Sequence, residues 1–319
     1  MKAPSFWYRS YGLTAFALEP FSLLWRAGGL ARKILSSPYD GQKPSICIGN
    51  ISVGGTGKTP AALAVARVLQ QAGARPVFVS RGYGGRERGP LRVDPSRHTA
   101  ENVGDESLLL ARTAPVWIGR DRVAAIKQAE AEGSHILLDD GLQNPNIRPD
   151  VSLIVVDGET GFGNGSLLPA GPLREKPEEV LSRIAGVILI GADRQGIAKQ
   201  VACPVLRASL EPRVPDDLPS EKKFFAFAGI GRPEKFFASC REAGLELAGT
   251  ASFADHHRFT HAEIEDLQRK AGRLKARLVT TEKDHVRLPD DMRASVSVLP
   301  VALIFEDAAL LERLINLPR

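Results

Sequence analysis

A glycine-rich run between residues 52 and 59 carries the residue types that bind nucleotide phosphates. It reads Ser52-Val53-Gly54-Gly55-Thr56-Gly57-Lys58-Thr59. Glycines let successive backbone N–H groups turn toward phosphate oxygens, and the helix that follows adds positive potential at its N-terminus. We expect Lys58 to reach the β- and γ-phosphates and the hydroxyl of Thr59 to ligate Mg²⁺. The run therefore predicts a P-loop and an enzyme that consumes a nucleotide.

The run departs from the strict P-loop pattern at Ser52, which replaces the first glycine. The Gly57-Lys58-Thr59 end is intact and an apolar strand precedes it, so we predict that all eight residues bind nucleotide. No guanine-reading Asn/Thr-Lys-x-Asp element follows, and Thr281-Glu282-Lys283-Asp284 is similar but misspaced. The nucleotide is therefore predicted to be ATP, bound with Mg²⁺.

Two aspartates, Asp139 and Asp140, follow the apolar run Ile136-Leu137-Leu138. A P-loop needs a second metal anchor, normally an aspartate at the end of a strand. We predict that Asp139 holds Mg²⁺ with Asp140 beside it. The sequence leaves open which of the two touches the ion directly.

Further polar clusters adjoin the predicted strands. They are Ser80-Arg81-Gly82-Tyr83-Gly84-Gly85, Gly104-Asp105-Glu106, Gly119-Arg120-Asp121-Arg122, Gly171-Pro172-Leu173-Arg174-Glu175 and Asp255-His256-His257. Ligands of open α/β sheets bind outside the carboxyl ends of strands, so the recurrence favours a functional role. Asp105 is our candidate general base, and a helix N-cap is the alternative for it. From its residues alone, the last cluster is a surface loop, because a third metal ligand is missing.

Short β-rich runs alternate with helical runs along most of the chain, which is typical of a mostly parallel sheet covered on both faces. Strands are predicted at 45–49, 76–80, 116–119, 135–139, 151–156, 187–190 and 205–210, and helices at 58–71, 106–112, 121–132 and 177–183. The pattern resumes at 224–228 and ends in a helix that begins at Asp307. The predicted fold class is α/β, P-loop NTPase-like.

Residues 211–222 hold three prolines and six charges, which is the composition of a linker. We therefore predict four segments. They are an N-terminal helical segment at 1–35, a P-loop domain at 36–210, a linker at 211–222 and a smaller C-terminal α/β domain at 223–319. The length of 319 residues agrees with two domains.

Composition excludes a disordered chain and a multi-span membrane protein, since 43% of residues are hydrophobic and 25% are charged. The three cysteines are too scattered for a disulfide framework, which favours a reducing cytoplasm. The net charge of +5 leans toward the N-terminus, where residues 1–35 carry five basic side chains against one acidic side chain. That balance suits an anionic surface.

Apolar residues recur at helical spacing in this segment, at Leu13, Phe16, Ala17, Phe21 and Leu24. We expect Glu19-Pro20 to interrupt any run of transmembrane length. An amphipathic helix in a membrane interface is one interpretation, and a helix packed on the protein's own core is the other.

Together and in this order, the motifs resemble the tetraacyldisaccharide 4′-kinase family, the lipid A 4′-kinases of Gram-negative bacteria, over nearly the whole chain. The motifs that carry the resemblance are Gly49-Asn50 with 53–60, Ser80-Arg81-Gly82-Tyr83-Gly84, Gly104-Asp105-Glu106, Asp139-Asp140-Gly141-Leu142-Gln143, Gly161-Phe162-Gly163-Asn164-Gly165, 168–175, Phe227-Ala228-Gly229-Ile230-Gly231, Asp255-His256-His257 and Thr280-Thr281-Glu282-Lys283-Asp284. The family commonly has histidine where this chain has Asn144.

The resemblance implies an enzyme at the cytoplasmic face of the bacterial inner membrane, peripheral or anchored by its N-terminus. It would transfer the γ-phosphoryl of ATP to the 4′-hydroxyl of tetraacyldisaccharide 1-phosphate, giving lipid IVA. The smaller domain would close over the site, and His256 would pair with Asp105. No nucleic acid and no obligate protein partner are expected.

The remaining candidate residues serve the metal ion and the phosphates. Thr59 and Asp139 would hold Mg²⁺, and Glu175 is a candidate for its outer shell. Four arginines could offset phosphoryl charge or hold the 1-phosphate of the substrate, namely Arg81, Arg120, Arg122 and Arg174. Two rival functions stay open, a regulatory or metal-delivering NTPase and a soluble kinase of a small metabolite.

Overall fold

The computed structural model describes residues 3–216, 218 and 223–316. The strands are β1 Tyr39–Asp40, β2 Ser45–Gly49, β3 Pro76–Ser80, β4 Leu91–Arg92, β5 Val116–Ile118, β6 His135–Asp139, β7 Ile147–Arg148, β8 Val151–Asp157, β9 Gly186–Ile190, β10 Val205–Pro212, β11 Lys223–Ala228, β12 Leu247–Ser252, β13 Ala276–Thr280, β14 Ser297–Val298 and β15 Val301–Phe305.

The helices alternate with these strands. They are α1 Leu13–Ile34, α2 Lys58–Gln71, α3 Ala100–Val103, α4 Asp105–Leu110, α5 Arg122–Glu130, α6 Pro177–Leu181, α7 Ile197–Gln200, α8 Pro233–Glu242, α9 His261–Arg273, α10 Glu282–His285 and α11 Ala308–Leu314. Two 3₁₀ helices span Ser5–Tyr8 and Asp290–Ser295.

The larger sheet has nine strands in the order β15-β10-β9-β8-β2-β6-β3-β5-β4. Its central strands are parallel, and the edge strands β15 and β4 are antiparallel to their neighbours. Helices cover both faces, because α2, α4 and α11 pack in one hydrophobic cluster and α5, α6 and α7 pack in the other. Strands buried on both faces read as continuous apolar runs, as in β8, which is buried throughout. The predicted α/β fold class is confirmed.

The smaller sheet has four parallel strands in the order β12-β11-β13-β14. Alternate residues of β11 enter two separate hydrophobic clusters, so that Phe224 packs with Phe237 of α8 and Phe225 packs with Leu267 of α9. A third, two-stranded sheet pairs β1 with β7 in parallel.

The predicted boundaries of the C-terminal domain need a correction. Strand β15 pairs with β10 from Ala208↔Phe305 to Pro212↔Val301, and Leu311 of α11 lies in the core of the larger sheet. The last strand and helix therefore return to the first sheet, so that the smaller sheet is an insertion between β10 and β15. Glu211 and Pro212 belong to β10, not to a linker. Residues 217 and 219–222 of the predicted linker lie outside the described residues.

Helix α1 runs without a break from Leu13 to Ile34, with Pro20 inside it. The proline lies within the helix without ending it. Of its 22 residues, the buried ones are Ala15 and Ser22. The predicted apolar stripe points outward, and Leu13, Phe16 and Leu24 are each more than 65% exposed. Over the described part of the chain, no helix has both the length and the apolar composition to cross a membrane.

Candidate active site

The glycine-rich run forms the turn between β2 and α2, at the centre of the larger sheet. Gly54 and Gly57 have φ values of 120° and 88°, which L side chains rarely adopt. A Cβ on Gly57 would lie 2.6 Å from Cδ1 of Ile190. The amide of Asn50 donates to the carbonyl of Ser52 at 2.7 Å and to the hydroxyl of Thr56 at 3.1 Å. The Asn50 side chain thus holds the turn, and the backbone conformation requires glycine at positions 54 and 57.

A neighbouring segment, residues 167–174, braces this turn from outside and is here named the bracing segment. The N–H of Val53 donates to the carbonyl of Pro172 at 2.8 Å, and the N–H of Arg174 donates to the carbonyl of Ile51 at 2.7 Å. Ser52 forms an antiparallel bridge with Leu173. The serine that departs from the P-loop pattern therefore serves as a backbone anchor, for which no glycine is needed.

The same bracing segment receives α1. The Ser22 hydroxyl donates to the carbonyl of Leu167 at 2.9 Å, and the indole N–H of Trp25 donates to the carbonyl of Arg174 at 3.0 Å. Trp7, just before α1, donates to the carbonyl of Pro169 at 3.0 Å. The helix that exposes the apolar stripe and the phosphate-binding turn thus share one support.

Asp139 and Asp140 end β6, next to β2 in the sheet. Asp139 is buried; its Oδ2 accepts from the Ser80 hydroxyl at 3.3 Å, and its Oδ1 is buried with no hydrogen-bond partner. Burial, with the charges of Glu106 and Asp140, raises the pKa of Asp139 to about 7. An unpartnered buried carboxylate oxygen beside a phosphate-binding turn suits a Mg²⁺ ligand.

Asp140 has φ 53° and faces two cations. Its Oδ2 lies 3.2 Å from Nη1 of Arg174 and 4.0 Å from Nζ of Lys58. Burial would raise the pKa of Asp140, but Lys58 and Arg174 outweigh it and hold the pKa below its usual range. Arg174 also donates to the side-chain oxygen of Gln143 at 3.3 Å. Asp140 thus positions cations, and Asp139 keeps a free oxygen.

The structure separates the other three predicted arginines. Arg81 and Arg120 are exposed. Arg122 is buried, and its Nη1 donates to the carbonyls of Val79 and Asp139, each at 3.2 Å. Arg122 therefore ties the ends of β3 and β6 together, and its predicted part in offsetting phosphoryl charge or holding the 1-phosphate stays a prediction. It lines a polar cleft of about 420 Å³ with Arg120, Asp121, Val123, Asn144 and Asn146.

Glu175 also has a different set of contacts from the predicted one. Its Oε2 pairs with Lys33 of α1 and with Arg183, each at 2.6 Å. The carboxylate is thus neutralised by two cations and fastens α1 to the larger sheet. Its Oε1 is buried with no hydrogen-bond partner, so the predicted place in the outer shell of Mg²⁺ stays a prediction.

Asp105 is the first residue of α4, directly after Gly104, whose φ is 85°. A Cβ on Gly104 would lie 2.3 Å from the carbonyl oxygen of Tyr83, so the two glycine-containing loops touch through their backbones. Asp105 is 5% exposed, and its Oδ1 accepts from the N–H of Glu106 at 2.9 Å. The Asp105 side chain is therefore oriented by a backbone group of its own helix.

Oδ2 of Asp105 meets the smaller domain. It lies 3.2 Å from Nδ1 of His256, and it accepts from Nε of Arg287 at 2.6 Å and also from Nη2 of Arg287. Burial would raise the pKa of Asp105, but the His256 hydrogen bond and the charges of Lys283 and Arg287 hold it well below its usual range. The sequence-based pairing of Asp105 with His256 is present in the geometry.

These contacts change which group we assign as base. Both carboxylate oxygens of Asp105 are engaged, and its depressed pKa makes it a weak proton acceptor. His256 has φ 58°, and its side chain is 35% exposed. Its ring meets that of Tyr83 edge to face at 5.6 Å. We therefore propose an orienting role for Asp105, with Nε2 of His256 as the base.

The smaller domain touches the larger one at further points around this pair. Lys283 pairs with Glu106 at 2.9 Å, and a Cβ on Gly231 would lie 3.8 Å from the N–H nitrogen of Gly55 in the phosphate-binding turn. A cleft of about 660 Å³ opens beside Asp105 and His256. Its lining comes from both domains and includes Arg258 and Arg293.

Arg287 is the site residue that the sequence analysis missed. It follows Asp284 by three positions, just after α10, and its side chain is 4% exposed. The available signal was an arginine just after a charged cluster that itself follows a strand. That cluster, which includes Asp284, was noticed as a misspaced guanine reader and as a family motif.

Sequence comparisons identify relatives of this chain among known proteins. The family model for tetraacyldisaccharide-1-P 4′-kinase matches residues 14–318. The tetraacyldisaccharide 4′-kinase of Rhodospirillum centenum is 47% identical, with 99% of this chain and 96% of that protein covered. That of Paramagnetospirillum magneticum is 46% identical, with 99% and 98% covered.

A solved structure shares the fold. A crystal structure of LpxK from Aquifex aeolicus in complex with ATP superposes with a TM-score of 0.76, covering 95% of this chain and 99% of that one at 24% identity. The family model matches nearly the whole chain. The chain belongs to the tetraacyldisaccharide-1-P 4′-kinase family.

Proposed function

We propose that this protein is a lipid kinase that transfers the γ-phosphoryl of ATP to the 4′-hydroxyl of tetraacyldisaccharide 1-phosphate, giving lipid IVA. The observation that carries the proposal is the meeting of Asp105 and His256 beside a cleft built from both domains. A base held beside an acceptor cleft suits phosphoryl transfer to a hydroxyl group. Membership of the family agrees with it.

In the proposed reaction, the 4′-hydroxyl oxygen attacks the γ-phosphorus, and the bond from that phosphorus to the β,γ-bridging oxygen breaks. ADP leaves with the bond electrons. The hydroxyl proton passes to Nε2 of His256, while Nδ1–H of the ring donates to Asp105. The carboxylate stabilises the imidazolium that forms, and water later removes the proton.

The phosphates are bound by residues of the larger domain. Backbone N–H groups of 54–59 would surround them, and Lys58 and Arg174 would face the charge that spreads over the phosphoryl oxygens. Thr59 and Asp139 are the residues that would hold Mg²⁺, since Oδ1 of Asp139 is buried without a partner. When bound, the ion neutralises charge on the β- and γ-phosphate oxygens.

A substrate with four acyl chains resides in a bilayer, and α1 supplies a surface that fits one. Phe16, Phe21, Leu23 and Leu24 are exposed on it, and Arg32 adds positive charge beside the ion-paired Arg26 and Lys33. An exposed apolar stripe with basic flanks suits an anionic membrane interface. We place the protein at the cytoplasmic face of the inner membrane, attached peripherally by this helix.

The test uses purified protein, ATP labelled in its γ-phosphate and the tetraacyldisaccharide 1-phosphate in mixed micelles. We expect the label in the lipid fraction, dependent on Mg²⁺. Label released only as inorganic phosphate would support a switch NTPase, and transfer to a water-soluble acceptor in a cell extract, with none to the lipid, would support a small-metabolite kinase. Either result would overturn the proposal.

A further inference from the structure

We propose that Arg287 is a positioning residue for phosphoryl transfer: it reaches from the smaller domain, anchors Oδ2 of Asp105, and so keeps the proton of His256 on Nδ1 and the lone pair on Nε2. This inference rests on the proposed function and adds a residue to its machinery. None of the sequence motifs that carry the family resemblance includes Arg287.

The guanidinium of Arg287 is held rigidly by its own domain. Its Nη1 donates to the carbonyl of Gly229 at 2.8 Å and to Oδ1 of Asp284 at 3.0 Å. Oδ2 of Asp284 in turn accepts from the Thr281 hydroxyl at 2.7 Å. Both Arg287 and Asp284 are almost fully buried. A buried guanidinium with these fixed acceptors points its remaining edge in a single direction, toward Asp105.

The other edge, Nε and Nη2, donates to Oδ2 of Asp105. The same oxygen lies 3.2 Å from Nδ1 of His256, and Nη2 of Arg287 lies 3.3 Å from that nitrogen. A guanidinium has donors only, whereas an ionised carboxylate only accepts. A charge-assisted bond from Nδ1–H to the carboxylate is therefore the strong option, and it leaves Nε2 unprotonated.

Charges on every side of the pair bear on this arrangement. Lys283 and Glu106 flank Asp105, Asp284 backs Arg287, and Tyr83 and Asp255 approach the His256 ring, with Oδ1 of Asp255 4.0 Å from Nε2. Removing Arg287 takes two donors from Oδ2 and leaves a buried carboxylate that holds a proton more readily. A protonated Asp105 is a weaker acceptor and can donate its own O–H to Nδ1, so the preference for the Nδ1–H tautomer would be lost.

A merely structural role is the competing explanation, since Arg287 joins two domains. Arg112 provides a matched control, because it pairs with Glu282 at 3.8 Å and thus links the same α4 and α10 regions without touching Asp105. If cross-domain linkage alone matters, Arg112→Met and Arg287→Met should have similar effects. If positioning matters, only Arg287→Met should alter the pH dependence of turnover.

The kinetic test compares wild type, Arg287→Met, Arg287→Lys and Arg112→Met by kcat and KM from pH 5 to 9, with melting temperature and ATP affinity measured in parallel. We expect Arg287→Met to lose roughly 100-fold in kcat, the lower end of the contribution of a positioned base. Its acid limb should move to higher pH, and Arg287→Lys should recover part of the rate. An unshifted acid limb, or a loss of melting temperature that accounts for the lost rate, would overturn the proposal.

A second measurement does not depend on the lipid reaction. In ¹⁵N-histidine spectra assigned with His256→Gln, wild-type His256 should be protonated on Nδ1 when neutral, and Arg287→Met should show a mixture of tautomers. The same tautomer in both proteins would refute the role of Arg287. If the spectra agree with the inference but wild type labels no lipid, the proposed function fails instead.

Discussion

Nδ1 of His256 lies 3.2 Å from Oδ2 of Asp105, across the boundary between the smaller and the larger sheet. Because Asp105 orients His256, the proposed base, removing either side chain should lower kcat by about the same factor. We expect Asp105→Asn and His256→Gln each to lower kcat by roughly 10² to 10⁴-fold. The double variant should be little slower than the slower single variant, since the two act as a unit. Steady-state kinetics would check this, with ATP affinity as the control; additive losses would mean that the residues act separately.

Replacing Asp139 should trade activity for stability. In the folded state Asp139 keeps its proton up to about pH 7, whereas the unfolded chain loses it near pH 4. Wild-type stability attributable to this group therefore falls as pH rises through that window. At pH 8 the free energy of unfolding of Asp139→Asn should exceed that of wild type by up to about 4 kcal/mol. At pH 5 the gain should be much smaller. Turnover with Mg²⁺ should be nearly abolished.

Calorimetry at the two pH values provides the measurement for Asp139. A gain of equal size at pH 5 and pH 8 would show that the stabilisation does not come from the buried charge. Full turnover of the variant would remove Asp139 from the metal site.

Gly57→Ala should prevent nucleotide binding. The new Cβ would meet Cδ1 of Ile190 at 2.6 Å, at a φ of 88° that alanine rarely adopts. Gly28→Ala is a matched control, because a Cβ at Gly28 meets nothing within 4 Å. In the interior of α1 that change should stabilise the helix by about 0.5 to 1 kcal/mol. Titration calorimetry with ATP should find binding lost in the first variant only; intact binding by Gly57→Ala would show that the turn can shift.

Charges placed on the exposed stripe of α1 should weaken membrane attachment. Phe16 and Leu24 are 68% and 70% exposed, so glutamate at either position should fold normally. We expect Phe16→Glu/Leu24→Glu to co-sediment less with vesicles that contain anionic lipid. Leu274→Glu, which changes a 42% exposed leucine in the smaller domain, should behave as wild type. Equal sedimentation of both variants would locate membrane binding elsewhere.

Local sequence patterns predicted the elements around the phosphates well. The strands 45–49, 76–80 and 135–139 and the helix 58–71 match the structure at both ends. Each is an apolar run or an amphipathic helix, so neighbouring residues determine where it begins and ends. Asp139 and Asp140 could be placed at a strand end for the same reason.

Long-range pairing was not predictable from these patterns. Nothing within β15 indicates that it pairs with β10 and not with the smaller sheet, because an edge strand is selected by the surface left open beside it. The contacts of Arg122 and Glu175 were unpredictable for a related reason. Their partners are carbonyl groups or ions that come from distant elements of the chain. Arg287 required both domains to be placed together.

The bracing segment contacts the phosphate-binding turn through Val53 and the exposed helix through Ser22. Because one segment holds both, a change in its backbone should disturb nucleotide binding and the proposed membrane attachment together.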